Sequence, residues 1–262
     1  MKTSRESATY LYCLVQAARR PSVAGAPRGL PGTGGLRVLQ AASDLWLVAA
    51  DAPLQHYGGA PIERGLRDLE WVTLRGAAHA RVVEHFARRR TTLPMKLFTL
   101  FTEDARALAD VGAGEPRIRR VLDRVAGRQE WGVRVRLDAQ LARRQLRTRP
   151  APRRVDGHAG TRFLLRKKHE RDAAQTLLRE GRVAVEAAFE TLAGLADATR
   201  RRPGAELEGT RLLLDAALLV PADRAGAFRR TIRRLTSALR ARGYRLEMTG
   251  PWPPYTFVAD AR

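Results

Sequence analysis

Apolar and polar positions change their period several times along this chain, and each change marks an element. Tyr10-Leu-Tyr-Cys-Leu-Val15 alternates aromatic and aliphatic residues, the habit of a buried strand. Arg19–Gly35 is rich in Arg, Pro and Gly and predicts a long mobile loop. Leu36–Gln40 and Leu45–Ala50 predict a hairpin across Ala41–Asp44. A helix is expected over Ala77–Arg89 with Val82, Val83 and Phe86 inside. Leu93–Phe101 then reads as a strand, with Pro94 near its start, where a missing N–H is tolerated. The order approximates β-ββ-α-β, a ferredoxin-like sandwich whose first crossover helix is reduced to loop.

Past a helix at Glu103–Val125, broken at Gly112-Ala-Gly114, the pattern restarts. Trp131, Val133, Val135 and Leu137 share one face of a strand. Leu178, Val185, Phe189, Leu192 and Ala196 share one face of a helix from about Thr161 to Arg200, interrupted or bent near Gly181. Leu212–Val220 is a strand capped by Pro221, and the helix Ala222–Arg242 turns Phe228, Ile232, Leu235 and Leu239 inward until Gly243 ends it. Tyr244–Thr249 is a further strand. The segment Gly250-Pro-Trp-Pro-Pro-Tyr255 cannot be helical, so the chain is expected to run extended past Trp252 and Tyr255 into a short second strand. These elements predict an α+β protein of two domains, 1–125 and 126–262, the first a modified ferredoxin-like sandwich and the second built on long helices. Arg143–Arg154, basic and proline-bearing, is the best linker candidate.

Composition narrows the class. A hydrophobic content of 44% with 29% charged residues belongs to a globular chain. The longest apolar run, Leu212–Val220, is interrupted by Asp215 and falls far short of the ~20 residues a spanning helix needs, so no membrane span is expected. Cys13, the single cysteine, cannot form an internal disulfide, which points to a reducing compartment and the cytoplasm. The net charge of +21 comes with 42 alanines, three isoleucines and no asparagine, the signature of GC-rich codons. Much of the arginine is therefore attributable to codon usage. The charge still attracts acidic partners and makes their binding salt-dependent, without naming them.

Catalytic chemistry finds no support in the residues. His79 and His85 are six apart, on different helix faces, and match no zincin spacing. Gly32-Thr-Gly-Gly35 lacks the Gly-Lys-Ser/Thr ending of a phosphate loop. Cys13 has no basic neighbour to make it a nucleophile. Glu186 and Glu190 are interleaved with arginines as in a surface charge lattice. No enzyme, cofactor or metal is expected. The Arg-rich window 141–171, with eleven basic and two acidic residues, supplies the alternative of nucleic-acid binding. Phe163 is its only aromatic and no recognition module can be read in it, so that alternative is disfavoured against a solvated basic face.

Four blocks carry a family resemblance: Tyr10–Val15, Thr92-Leu-Pro-Met-Lys-Leu-Phe-Thr-Leu-Phe101, Glu130-Trp-Gly-Val-Arg-Val135 and Thr249-Gly-Pro-Trp-Pro-Pro-Tyr-Thr-Phe-Val258. In that order they resemble the gas vesicle accessory proteins of the F/L family. The resemblance implies a cytoplasmic, vesicle-associated, non-enzymatic accessory or minor structural protein with no cofactor. Its implied partners are the small hydrophobic shell protein, whose assembly it would aid at nucleation or growth, and other gas vesicle accessory proteins. Cys13 stands where the family usually has glycine, Lys96 where it often has arginine, and Asp215 where it has asparagine. Trp131, Trp252, Tyr255, Pro94 and Met95 are the candidate partner-binding residues. Core packing is the stronger expectation for all five, and contact is best argued for Trp252 and Tyr255, whose proline-stiffened segment loses little entropy on binding.

Overall fold

The computed structural model describes residues 6–138, 159–202 and 212–258, so the expected linker at Arg143–Arg154 lies outside the described residues. The fold is α+β, and contacts group it into two units: Met1–Gly127 with Trp252–Arg262, and Arg128–Pro251.

The first unit is built on an antiparallel sheet in the order β2-β3-β1-β4, with β5 also on β1. Its strands are β1 (Ser7–Gln16), β2 (Arg37–Ala42), β3 (Leu45–Pro53), β4 (Thr92–Pro94) and β5 (Leu100–Phe101). A register shift between Leu11 and Cys13 bulges β1, and both Tyr12 and Cys13 enter the core on the same side as Tyr10. That core is closed by α3 (Leu69–Ala87), which follows the short α1 (Leu54–Tyr57) and α2 (Gly59–Gly65). The helix begins at Leu69 rather than at Ala77. Asp68 caps it, accepting from the N–H groups of Glu70 and Trp71 at 2.9 and 3.2 Å. Its first turns escaped the sequence pattern because Leu69 and Leu74 are exposed, at 81% and 53%.

The expected mobile loop Arg19–Gly35 is pinned at three points. Leu30 N–H donates to the Tyr12 hydroxyl at 2.8 Å, the Tyr57 hydroxyl to the Pro31 carbonyl at 2.6 Å, and Gly34 N–H to the Asp51 carbonyl at 2.8 Å. A Cβ on Gly29 would overlap the Tyr12 hydroxyl, so the loop needs glycine there to come this close. On the other side of the sheet, α4 (Asp104–Ala113) and α5 (Glu115–Val125) part at Gly114, inside the expected break. Arg37 grips Asp104 through Nε and Nη2 at 3.1 and 2.6 Å, while Thr9 donates to the same carboxylate at 2.7 Å. These bonds from Arg37 hold the Asp104 carboxyl below its usual range and tie α4 to the sheet.

The second unit has the sheet β7-β8-β6-β9, comprising β6 (Arg128–Leu137), β7 (Ala198–Arg201), β8 (Leu212–Pro221) and β9 (Tyr244–Trp252). Trp131, Val133 and Val135 meet Leu214, Ala216, Leu218 and Val220 in one core. The helix α6 (Ala159–Ala193) adds Val185, Phe189 and Leu192, and α7 (Ala225–Arg240) adds Phe228, Ile232 and Leu239. The helix is not interrupted at Gly181. Glycine is needed there because a Cβ would overlap the Tyr244 ring. Nor does α6 reach Arg200: it stops at Ala193, and Ala198–Arg201 pairs with β8 as β7. Gly243, at φ 88°, lets the chain turn from α7 into β9.

The tail also departs from expectation. β9 runs on to Trp252, tolerating Pro251 because β9 is an edge strand. No second strand follows among the described residues. Tyr255 N–H donates to the Pro253 carbonyl at 2.7 Å, and the N–H groups of Phe257 and Val258 both donate to the Pro254 carbonyl at 3.1 Å, which makes a turn. No helix among the described residues is long and apolar enough to cross a membrane.

Candidate functional site

The sequence expects one strand over Leu93–Phe101, and the structure cuts it in two. Phe98 adopts φ 63°, a left-handed conformation uncommon for an aromatic residue. Thr99 holds the turn by donating its N–H and its hydroxyl to the Lys96 carbonyl, at 3.2 and 2.8 Å. The reversal lays the Phe98 ring against Trp71, with centroids 5.3 Å apart. It also turns Leu97, Leu100 and Phe101 toward α4 and α5, where they stay half-buried.

Between that turn and the two helices lies a groove of about 760 Å³. Its floor is apolar, with Leu93, Val111 and Ile118 buried along it. Lys96 stands on the turn side; Asp110 and Arg117 stand on the helix side. A cavity of roughly 300–1,000 Å³ is the size that binding clefts take. The sequence carries no local signal for it, because the apolar-rich run Met95-Lys-Leu-Phe-Thr-Leu-Phe101 also fits a buried strand.

The turn is held from beneath by a buried polar chain. The Tyr10 hydroxyl meets His79 Nδ1 at 2.7 Å, and His79 Nε2 meets the Met95 carbonyl at 3.1 Å. A carbonyl only accepts, so Nε2 carries the proton and Nδ1 accepts from Tyr10. The Tyr12 ring stacks on the imidazole with centroids 5.5 Å apart. Burial lowers the His79 pKa to about 4 and raises that of Tyr10 above its usual value. His79 is therefore neutral and structural at pH 7. Burial likewise pushes the Cys13 thiol up, leaving it a small core residue.

Both edges of the same sheet are blunted. Thr91 accepts from Gln16 N–H and Met95 donates to the Tyr12 carbonyl, each at 2.9 Å, so positions 91, 93 and 95 face β1. Pro94 faces outward, where it has no N–H to offer a further strand. On the far edge, Arg20 Nη2 donates to the outward Val38 carbonyl of β2 at 3.0 Å. The double variant Pro94→Val with Arg20→Ala should expose both edges and show a higher weight-average mass than the parent at equal concentration. Equal masses by sedimentation equilibrium would remove these two residues as edge guards.

The five sequence candidates are divided between the two units, Trp131 in the second and the other four in the first. Met95 lines the groove and Pro94 precedes it on the edge. Tyr255 packs against the first unit's core with Phe98 and Leu100. Trp131 lies in the core of the second unit, 2% exposed, while Trp252 is 44% exposed. Leu97, Leu100 and Phe101 were not singled out from sequence, since a continuous strand would have buried them. Of the basic window, residues 141–158 lie outside the described residues; Lys167, Lys168 and Arg171 are exposed on α6, as a solvated helix face presents its charges.

Comparison with known proteins gives a consistent set of relatives. The family model described as gas vesicle synthesis protein GvpL/GvpF matches residues 8–259. Gas vesicle protein L of Streptomyces sp. (strain CB03234) is 31% identical over 253 residues, covering 94% of this chain and 92% of that protein. Gas vesicle protein L2 of Halobacterium salinarum is 29% identical over 184 residues, 65% of each chain. Among solved structures, GvpF from Anabaena sp. PCC7120 superposes with a TM-score of 0.67 at 18% identity, covering 96% of this chain and 95% of that one. GvpF from Microcystis aeruginosa gives 0.64 at 13% identity, covering 97% and 99%.

Proposed function

This chain belongs to the GvpL/GvpF family of gas vesicle synthesis proteins, and from that premise we propose that it is a non-enzymatic assembly factor that holds the vesicle shell protein in the groove beside α4 and α5. It works in the cytoplasm, with other accessory proteins, and delivers shell subunits for nucleation or growth. One observation carries the reading: an apolar groove opens beside edge strand β4, whose outward position is Pro94 and offers no N–H to an added strand. A small hydrophobic shell subunit aggregates unless its apolar face is covered. A handler with open sheet edges would template that aggregation, whereas a groove covers apolar surface and leaves the backbone ladder unmade.

Co-expression tests this directly. The shell protein should stay in the soluble fraction with the parent chain and should co-purify with it. The double variant Leu97→Asp with Leu100→Asp should cut the recovered shell protein about tenfold, because two carboxylates must lose water to enter an apolar contact. Leu97 and Leu100 are half-buried and Leu100 also packs against the first unit's core, so the thermal midpoint should fall, and recovery is compared at a temperature where circular dichroism shows the double variant still folded. Undiminished recovery by the double variant would exclude the groove.

A further inference from the structure

The groove is unequal in charge as well as apolar. Lys96 is exposed on the turn wall, and among the described residues no carboxylate forms an ion pair with its ammonium group. The opposite wall is mixed in sign, with Asp110 on α4 and Arg117 on α5. An extended segment entering beside β4 would find Pro94 at the outward position and gain no N–H donor from it. A helix already satisfies its own backbone and brings only side chains to such a groove. The net charge of +21 favours an acidic visitor over a basic one.

We propose that the groove takes an amphipathic helix of its partner whose aliphatic stripe is flanked by a carboxylate facing Lys96. This rests on the reading of the groove as the partner's site and adds which kind of segment enters and in which orientation. The aliphatic stripe lies on the floor along Val111 and Ile118, and Leu97 and Leu100 close over it from the turn. Lys96 then sets polarity: reversing the helix would move its acid from the Lys96 ammonium group to the wall where Asp110 offsets Arg117. Such an exposed pair contributes modestly and is weakened by salt.

The full chain would be titrated with three labelled synthetic helices of about 18 residues, the length of a short amphipathic helix. They share one leucine stripe and carry Glu, Gln or Lys at the flanking position, and anisotropy reads the binding. The Glu helix should bind about threefold to fivefold tighter than the Gln helix at low salt, with the Lys helix weakest. Lys96→Glu should invert that order. Equal binding of all three, binding of none, or an order unchanged by Lys96→Glu would overturn the proposal. Shell-protein co-purification with Leu97→Asp/Leu100→Asp as control separates the two failures. Capture of shell protein with no charge preference among the helices sinks this inference alone, and no capture sinks the assignment of the groove.

Discussion

Replacing Trp131 with alanine is expected to lower the unfolding free energy by about 3–5 kcal/mol, the range for deleting a buried large aromatic. The ring is 2% exposed and lies 5.7 Å, centroid to centroid, from Phe228, which is itself fully buried. It sits on β6, whose neighbours across the ladder belong to β8, so the cavity would open in the middle of the second unit's core. One term opposes the loss. The indole nitrogen is buried without a hydrogen-bond partner among the described residues, and removing it relieves a cost of about 1–3 kcal/mol. The net effect should therefore fall at the low end, near 3 kcal/mol. Trp252→Ala, at 44% exposure, should change stability by no more than about 0.5 kcal/mol. Urea unfolding followed by far-UV circular dichroism measures both. If Trp131→Ala kept its stability while shell-protein capture failed, Trp131 would be a contact residue and the packing account would be wrong.

The contrast between those tryptophans shows where the sequence was sufficient. The alternation of Trp131, Val133 and Val135, and the helical period of Phe228, Ile232 and Leu239, place one core without outside information. Both signals are local, and burial on one face is enough to produce them. What failed depends on partners remote in sequence. The loop Arg19–Gly35 looks mobile from composition, yet the hydroxyls of Tyr12 and Tyr57 fix it. Gly181 looks like a helix breaker but accommodates the Tyr244 ring. The helix end at Ala193 is marked by Gly194, but Leu192 and Ala196 keep a helical spacing across it, and the pairing of Ala198–Arg201 with β8 decides against a longer helix.

The groove was illegible for a related reason. Leu97, Phe98, Leu100 and Phe101 carry the composition of a buried strand, and only the φ of Phe98 separates a strand from a turn. Nothing adjacent in sequence enforces that angle. Phe98 N–H donates to the Tyr10 hydroxyl at 3.4 Å, and the ring rests on Trp71, so β1 and α3 hold it from outside. The position costs of order 1–3 kcal/mol, which these contacts must offset. A site on such a turn appears only after the fold is assembled.

Because the same turn hangs from His79, acid should loosen the first unit. An unfolded histidine titrates near 6.5, and burial lowers the folded value to about 4. Between those values the unfolded chain binds the proton and the folded chain does not, so unfolding becomes easier as pH falls. The contribution is complete above about pH 6.5 and is lost progressively toward pH 4, where it levels off. The interval is worth about 3 kcal/mol, at 1.36 kcal/mol for each unit of pKa. Asp44 and Asp104 have carboxyls held below their usual range by Arg119 and Arg37, so their own losses begin at lower pH. Protonation would place a proton on Nδ1, which now accepts from Tyr10, so that bond would reverse and the Tyr10 hydroxyl would need another acceptor, while Nε2 would go on donating to the Met95 carbonyl. Chemical denaturation at half-unit steps from pH 7 to pH 4 should show this slope in the parent. His79→Leu should be weaker at pH 7, since it leaves the Met95 carbonyl without the imidazole donor, but flatter across the interval by the same 3 kcal/mol or so. If the variant kept the full slope, some other group would have to carry the acid sensitivity of this unit.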